Sequence, residues 1–259
     1  MRMMKKVLGT VTVLALSVSL LAGCGSTAVS PVSSTASTAA ESTTSSVVSE
    51  TTSAAADENA AAAAQLLNDL TGSYQELWPV ILADEYQQTW LDDCTALVGE
   101  ENAEAAFEKL SSMVTGDVYG EDAVEAYANG GGAYFCGFTN SLATLTFDGE
   151  TSTISGTDKD GNVLFSHTYH YIGMEPVHGL YEFESDDADS GEFTYFFLAP
   201  DTSAETYHIE FRYGSDADAL SQYDAGDYAY WLASGISTDC DQTMIDNCIE
   251  LFCTENLAG

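Results

Sequence analysis

The spacing of apolar residues changes several times along this chain, and each change predicts a different kind of element. An apolar stretch over residues 7–21 is followed by a Ser/Thr/Ala-rich tract without aromatic residues. Helical spacing then runs from about residue 57 to residue 128, and alternation of apolar and polar residues begins near residue 143. We therefore expect a leader, an unstructured tract, a helical part and a strand-rich part.

The helical part is predicted to contain four segments. The first begins at Asp57 and carries Leu66, Leu67 and Leu70 on one stripe. The second is predicted from Ser73 to residue 97, with an interruption at Pro79. The remaining two are predicted over residues 103–113 and 122–128.

The strand-rich part shows short apolar-alternating runs separated by acidic or Gly-containing turns. Predicted strands cover residues 143–147, 151–157, 163–171, 179–184, 192–199 and 205–213. Such regular spacing favours an antiparallel meander that closes into a small barrel. Helices are expected again at 216–223 and at 238–252, the latter with Ser237 as its N-cap. The predicted fold class is α+β and β-rich, a barrel with flanking N- and C-terminal helices.

The N-terminus has the pattern of a bacterial lipoprotein signal. A cationic start and the apolar stretch end in Leu21-Ala22-Gly23-Cys24, which predicts cleavage before Cys24 and lipidation of its thiol. An ordinary signal peptide cut elsewhere is the alternative. The predicted organisation is a signal peptide at 1–23, the lipidated cysteine and a flexible linker at 24–56, and one domain at 57–259. The mature protein is expected at the extracytoplasmic face of the cell membrane, held by its lipid anchor.

Charge excludes one class of partner and leaves another open. The chain has 6 Lys+Arg against 41 Asp+Glu, and three of the six cations precede the apolar stretch. So few cations cannot neutralise a phosphate backbone, so no nucleic acid is expected as a partner. The acidic field attracts cations, but acidity of this kind is also common as a solubility feature.

Three stretches of the presumed domain carry a resemblance to a known family. They are residues 70–82 (LTGSYQELWPVIL), residues 169–173 with 179–184 (YHYIG and GLYEFE), and residues 189–195 with 204–209 (DSGEFTY and AETYHI). These motifs resemble the ZinT-type domain, which also occurs at the C-terminus of AdcA-type zinc-binding lipoproteins. The resemblance implies a lipocalin-like barrel that binds zinc outside the cytoplasm and serves a metal importer of the ABC type.

The metal ligands depart from the family pattern. The resemblance implies three histidines, two in an H-x-H pair and one upstream. Only the second of the pair is present, as His208, because Thr206 stands in the first position. The upstream position falls at or near Asp201, with Phe196 as the alternative.

Strand geometry offers a replacement for the missing imidazoles. Alternation puts His208 and Glu210 side by side on one face of their strand. Imidazole nitrogen and carboxylate oxygen are both zinc ligands, so His208, Glu210 and Asp201 form the predicted set, with water in the fourth place. The alternative for Glu210 is an ion pair with Arg212 or a cross-strand neighbour.

The other histidines also lie in the strand-rich part. His170 and His178 are the next candidate ligands after His208, and His167 is the last. His167 and His170 are an odd number of positions apart, so they are expected on opposite faces of one strand. A hydrogen-bonded structural role is the alternative for each of them.

Five cysteines follow Cys24, at positions 94, 136, 240, 248 and 253. Their pairing cannot be read from the sequence, and their spacing does not indicate a thiolate zinc site. No nucleophile elbow, zinc-protease helix or phosphate-binding loop is present, so no enzymatic activity is predicted.

Two function classes follow. The first is a lipid-anchored zinc-binding protein that scavenges the metal or delivers it to an uptake system. The alternative is a non-catalytic barrel that lost the metal site and binds a small ligand or a protein, with aromatic strand residues such as Phe193 and Phe211 lining a pocket or filling the core. Diffuse binding of calcium by the acidic surface is a weaker third.

Overall fold

The computed structural model of the chain describes residues 58–200 and 208–258. The predicted signal peptide, the lipidation site Cys24 and the linker lie outside this part. Helices α1 to α7 cover residues 58–69, Leu77–Ile81, Gln87–Val98, Ala103–Val114, Glu121–Ala128, Ala217–Leu220 and Gln242–Leu257. Strands β1 to β8 cover Gly72–Glu76, Thr144–Asp148, Thr153–Thr157, Val163–Met174, Tyr181–Ser185, Tyr195–Leu198, His208–Gly214 and Ala233–Ser237.

The eight strands form a closed antiparallel barrel in which each strand pairs with its neighbours in sequence order. Closure comes from β1, which pairs with β2 on one side and with β8 on the other. Tyr74 of β1 lies opposite Leu145 and Ser237 at these two seams. The predicted lipocalin-like antiparallel barrel with flanking helices is confirmed.

The barrel interior is filled by side chains. Phe147, Phe183, Phe196, Phe211 and Tyr213 are almost completely buried there. Their rings stack or meet edge to face, as do Phe196 and Tyr213 with centroids 5.4 Å apart. Eight strands enclose a space that side chains alone can fill, so this barrel has a core and not a lumen. Of the aromatic residues predicted either to line a pocket or to fill the core, Phe211 lies in this core and Phe193 packs against it.

Helix α1 packs at one end of this core. Ala63, Leu66, Leu67 and Leu70 belong to the same buried cluster as the barrel interior. The helix ends directly against the turn between β2 and β3, where a side chain at Gly149 would lie 2.4 Å from the Cα atom of Asn68. Glycine is thus required at this turn because backbone meets backbone there.

A second buried cluster lies between the outer side of the barrel and a helical layer of α2, α3, α4 and α7. It contains Ile236 of β8 together with Trp90, Leu110 and Ile249 from the helices. Trp90 also donates its indole N–H to the carbonyl of Ile81 at 2.7 Å. Within the two described ranges, no helix has the length and apolar character needed to cross a membrane.

One predicted helical region is a strand, and one predicted helix cap lies in another strand. Residues Ser73 to Glu76 were expected to begin a helix, but they form β1, because their hydrogen bonds to β2 and β8 close the barrel. Ser237 was expected to cap the last helix, but it ends β8. Asp241 is the actual N-cap of α7, and its carboxylate accepts the Met244 N–H at 3.0 Å.

Candidate metal-binding residues and neighbouring clefts

The two faces of β7 are occupied as the alternation predicts. Ile209, Phe211 and Tyr213 point into the barrel core and are at most 2% exposed. His208 and Glu210 therefore lie together on the outer face and are half-buried. Sequence alternation was sufficient for this placement because an apolar core occupies only one side of the strand.

The cross-strand neighbours of His208 and Glu210 are Ile236 and Ser234 of β8. Cys136, from the segment that crosses this outer face, is also close to Glu210. Burial raises the pKa of the Cys136 thiol, and the negative charge of Glu210 raises it further. Both effects favour the neutral thiol of Cys136.

The third predicted ligand cannot be placed. Asp201 and Thr206 lie outside the described residues, so the set of His208, Glu210 and Asp201 stays a prediction. Phe196, the alternative upstream position, is fully buried in the barrel core. Within residues 58–200 and 208–258, no three His, Cys, Asp or Glu side chains are grouped so that they could hold a metal ion.

His167 and His170 point to opposite faces of β4, as their spacing predicts. His170 lies on the exposed outer face, with Nδ1 at 2.8 Å from Asp186 Oδ1 and Nε2 at 4.0 Å from Glu184 Oε2. His167 lies on the inner face, and its Nδ1 is 2.7 Å from Asp187 Oδ2. Both histidines therefore bind the acidic turn after β5. The sequence indicated an acidic turn there but not that two imidazoles meet it.

His178 lies in the connection between β4 and β5. Its backbone N–H donates to the fully buried carboxylate of Glu175 at 2.6 Å, and its Nδ1 lies 3.6 Å from the same oxygen. The imidazole ring packs against the ring of Tyr223 at a tilt of 44°, with centroids 3.8 Å apart. The described residues thus give His178 a role in packing this connection against the loop after α6, and they do not bring it into a three-ligand group with His208.

Sequence reasoning named Arg212 as a possible partner of Glu210 but missed its burial. Although it shares the outer face of β7 with His208 and Glu210, its side chain is completely buried. The guanidinium donates to the carbonyls of Leu220, Gln222 and Tyr228 and lies over the ring of Tyr223, with Cζ 4.2 Å from the centroid. A signal was present in the sequence, since Arg212 is the single arginine of a strongly acidic domain.

A cleft of about 340 Å³ opens beside this face, between α2 and the segments that follow α4. Its walls are mostly apolar, and its polar groups include the Glu76 carboxylate and the Cys136 thiol. Glu76 Oε1 already accepts the Phe138 N–H at 2.6 Å. The lining residues are Glu76, Trp78, Pro79, Leu82, Val114, Thr115, Gly116, Phe135, Cys136 and Gly137.

These observations define a filled, closed barrel with the pair of His208 and Glu210 on the outer face of β7 and a cleft beside that face. The structure is similar to the Zn(II)-bound ZinT-like domain of Streptococcus pneumoniae AdcA, with 15% identity over 71% of this chain and 89% of that one and a TM-score of 0.45. It is also similar to Zn(II)-bound AdcA from the same organism, with 14% identity, a TM-score of 0.43, and coverage of 72% of this chain and 35% of that one.

The ZinT-like domain of these solved structures is the one that the sequence motifs resemble. No protein-family model matches the sequence. No curated protein matches it significantly.

Proposed function

We propose that this protein is an extracytoplasmic, lipid-anchored zinc-binding protein that scavenges the metal or delivers it to an uptake system. The observation that carries this proposal is the pair of His208 and Glu210, side by side on the outer face of β7. Asp201, in the segment that leads into β7, supplies the third ligand of the proposed site.

The chemistry of this set suits a metal that is taken up and released. One imidazole nitrogen and two carboxylate oxygens, with water in the fourth place, satisfy the tetrahedral preference of zinc and leave one exchangeable position. The two carboxylates balance the charge of the ion.

The location rests on the N-terminal sequence. Leu21-Ala22-Gly23-Cys24 places the acyl chains on Cys24, and the Ser/Thr/Ala-rich tract separates the anchor from the barrel. With only three cations beyond residue 6, the domain is repelled by an anionic membrane surface. We propose that lipid and linker together keep the metal site accessible above the bilayer.

Zinc titration of the full chain carrying Cys24→Ser, against a chromophoric chelator, tests the metal site. We expect His208→Ala to weaken zinc binding at least 100-fold and Glu210→Gln to weaken it roughly 10-fold or more, since each removes a ligand. His167→Gln is the matched control, because this histidine lies on β4 and pairs with Asp187.

A competing excess of calcium distinguishes a specific site from the acidic surface. Diffuse binding is displaced by calcium and by salt, whereas a nitrogen-containing zinc site is not. Equal zinc affinities for the unsubstituted protein, His208→Ala and His167→Gln would contradict the proposed ligands. Mass spectrometry that finds no acyl chains on Cys24 of the exported, unsubstituted protein would contradict the anchor.

The second candidate function is a non-catalytic binding module, and the cleft beside α2 is the observation that favours it. Its volume of about 340 Å³ and apolar walls around a few polar groups are typical of small-ligand sites. Because the barrel interior is filled, the cleft is the candidate pocket for this second function. Absence of specific zinc binding in the titration would favour this second function.

A further inference from the structure

Two cysteines that are far apart in sequence meet inside the helical layer. Cys94 of α3 and Cys253 of α7 have their Sγ atoms 3.9 Å apart, across a sequence separation of 159 residues. Both side chains are completely buried. The pattern of cysteines in the sequence gave no reason to pair these two.

The helices around this contact are firmly packed. Trp90, one turn before Cys94, meets Phe252, the residue before Cys253, with ring centroids 6.0 Å apart. Phe252 also contacts Trp78 of α2 at 4.7 Å. A disulfide needs the two sulfurs at about 2.05 Å, so rotation of the two side chains and an approach of roughly 2 Å complete the bond. Because α3 and α7 lie in contact, the bond is compatible with the folded arrangement of the two helices.

We propose that Cys94 and Cys253 form a disulfide that joins α3 to α7 in the exported protein. This inference rests on the proposed extracytoplasmic location, where disulfides persist. The oxidant is the disulfide of a thiol–disulfide exchange protein. The Cys94 thiolate attacks one of its sulfurs and releases the other as a thiolate. The Cys253 thiolate then attacks the Cys94 sulfur of the mixed disulfide. Two protons leave the cysteines, and the exchange protein keeps both electrons as its reduced dithiol.

The exchange takes place during folding. Burial raises the pKa of both thiols in the folded state, and full burial denies access to a partner protein. The chain therefore meets the oxidant after export and before α7 docks onto α3. The bond is then enclosed in the second buried cluster, where it is protected from reduction.

The few cations of the chain make the linkage simple to detect. Trypsin can cut the folded part after Lys109, Lys159 and Arg212 only. Cys94 then lies in the fragment that ends at Lys109, and Cys253 in the fragment 213–259, while Cys136 is in the fragment 110–159. The full chain with Cys24→Ser is exported, alkylated under denaturing conditions without reductant, and digested. We expect the first and last fragments to remain linked, and reductant to separate them.

Single substitutions identify the residue in the last fragment. Cys253→Ala should abolish the linkage, whereas Cys248→Ala, which removes a buried thiol from the same helix, should keep it. Reductant should lower the Tm of the unsubstituted protein by roughly 5–15 °C and leave that of Cys253→Ala unchanged.

Complete alkylation of both cysteines in the exported protein would overturn the inference. Zinc binding by His208 is measured separately, so the two proposals can fail independently. A missing linkage with intact zinc binding would refute the disulfide only. A linkage without zinc binding would refute the metal function only.

Discussion

The two faces of β7 are both buried, but different partners bury them. On the inner face, Ile209 and Phe211 pack against other apolar side chains of the barrel, and the Tyr213 hydroxyl exchanges hydrogen bonds with Thr139. On the outer face, exposure decreases along the strand from the half-buried His208 and Glu210 to Arg212, which is completely buried. There the contacts are made by polypeptide backbone as much as by side chains.

The difference shows that a polar residue on the outer side of a barrel strand need not face water. Arg212 is surrounded by the carbonyls of Leu220, Gln222 and Tyr228, which belong to α6 and the loop after it. The guanidinium replaces the water that these carbonyls would otherwise bind. The outer face of β7 thus has a structural end at Arg212 and the proposed metal-binding end at His208.

Replacing Arg212 should have the largest effect on stability. Arg212→Met keeps much of the side-chain volume but leaves three carbonyl groups without their donor, at about 1–3 kcal/mol for each buried acceptor. We expect the free energy of unfolding to fall by about 3–6 kcal/mol in urea titrations. Arg212→Lys retains the charge with fewer hydrogen-bond donors. Its free energy of unfolding should lie between those of the unsubstituted protein and Arg212→Met. A loss below about 1 kcal/mol for Arg212→Met would show that the carbonyls reach water readily.

Truncating a side chain on the inner face of β7 should lower the free energy of unfolding slightly less than replacing Arg212 does. Phe211→Ala removes a ring that packs against Phe138 at 5.3 Å and Phe196 at 6.3 Å. Truncating a buried Phe in this way destabilises proteins by about 3–5 kcal/mol, because a cavity remains. Urea titration gives the loss, and Phe211→Leu is the control that keeps most of the volume. An equal loss for the two variants would contradict the cavity explanation.

The smallest effect is expected from Glu182 on β5, whose cross-strand neighbour Phe197 lies opposite Arg212. Burial, and then the charge of Glu175, raise the pKa of the Glu182 carboxyl above 4.5. The folded state therefore binds more protons than the unfolded state as this group titrates, and stability falls as the pH rises through that window.

Glu182→Gln cannot ionise, so it removes the loss of stability that ionisation of Glu182 causes. Its advantage over the unsubstituted protein should be a few tenths of a kcal/mol at pH 7, because the group is largely screened by solvent, and should shrink below about pH 4. Urea titrations at the two pH values measure the difference. An advantage that is the same at both pH values would assign it to packing and not to charge.

The local pattern was sufficient for much of the fold. Alternation identified the strands that form most of the barrel and the face of β7 that carries His208 and Glu210, because the core imposes a period of two on every strand that borders it. It failed at Ser73 to Glu76, where Tyr74 and Leu77 also fit a helical stripe. It missed β8, since Ala233, Gly235 and Ile236 carry too little alternation to predict a strand.

The candidate site was predictable in part for the same reason. The opposite faces of His167 and His170 followed from their spacing, and the structure confirms them. The segments that cover each face decide the rest. They determine the contacts of the two histidines with the acidic turn and the burial of Arg212 and of the Glu175 carboxylate. No local pattern carries that information, because the covering residues lie elsewhere in the chain.

The sequence by itself determined the class of fold, the strand faces and the strongly acidic character of the domain, since these depend on composition and on neighbours a few residues apart. Only the tertiary structure decided that β1 and β8 close the barrel, that Arg212 holds a loop by its carbonyls, and that Cys94 lies beside Cys253. These features join residues up to 163 positions apart, as in the pairing of Tyr74 with Ser237. Such contacts form when separate elements bury their apolar faces together, and spacing along the chain does not specify them.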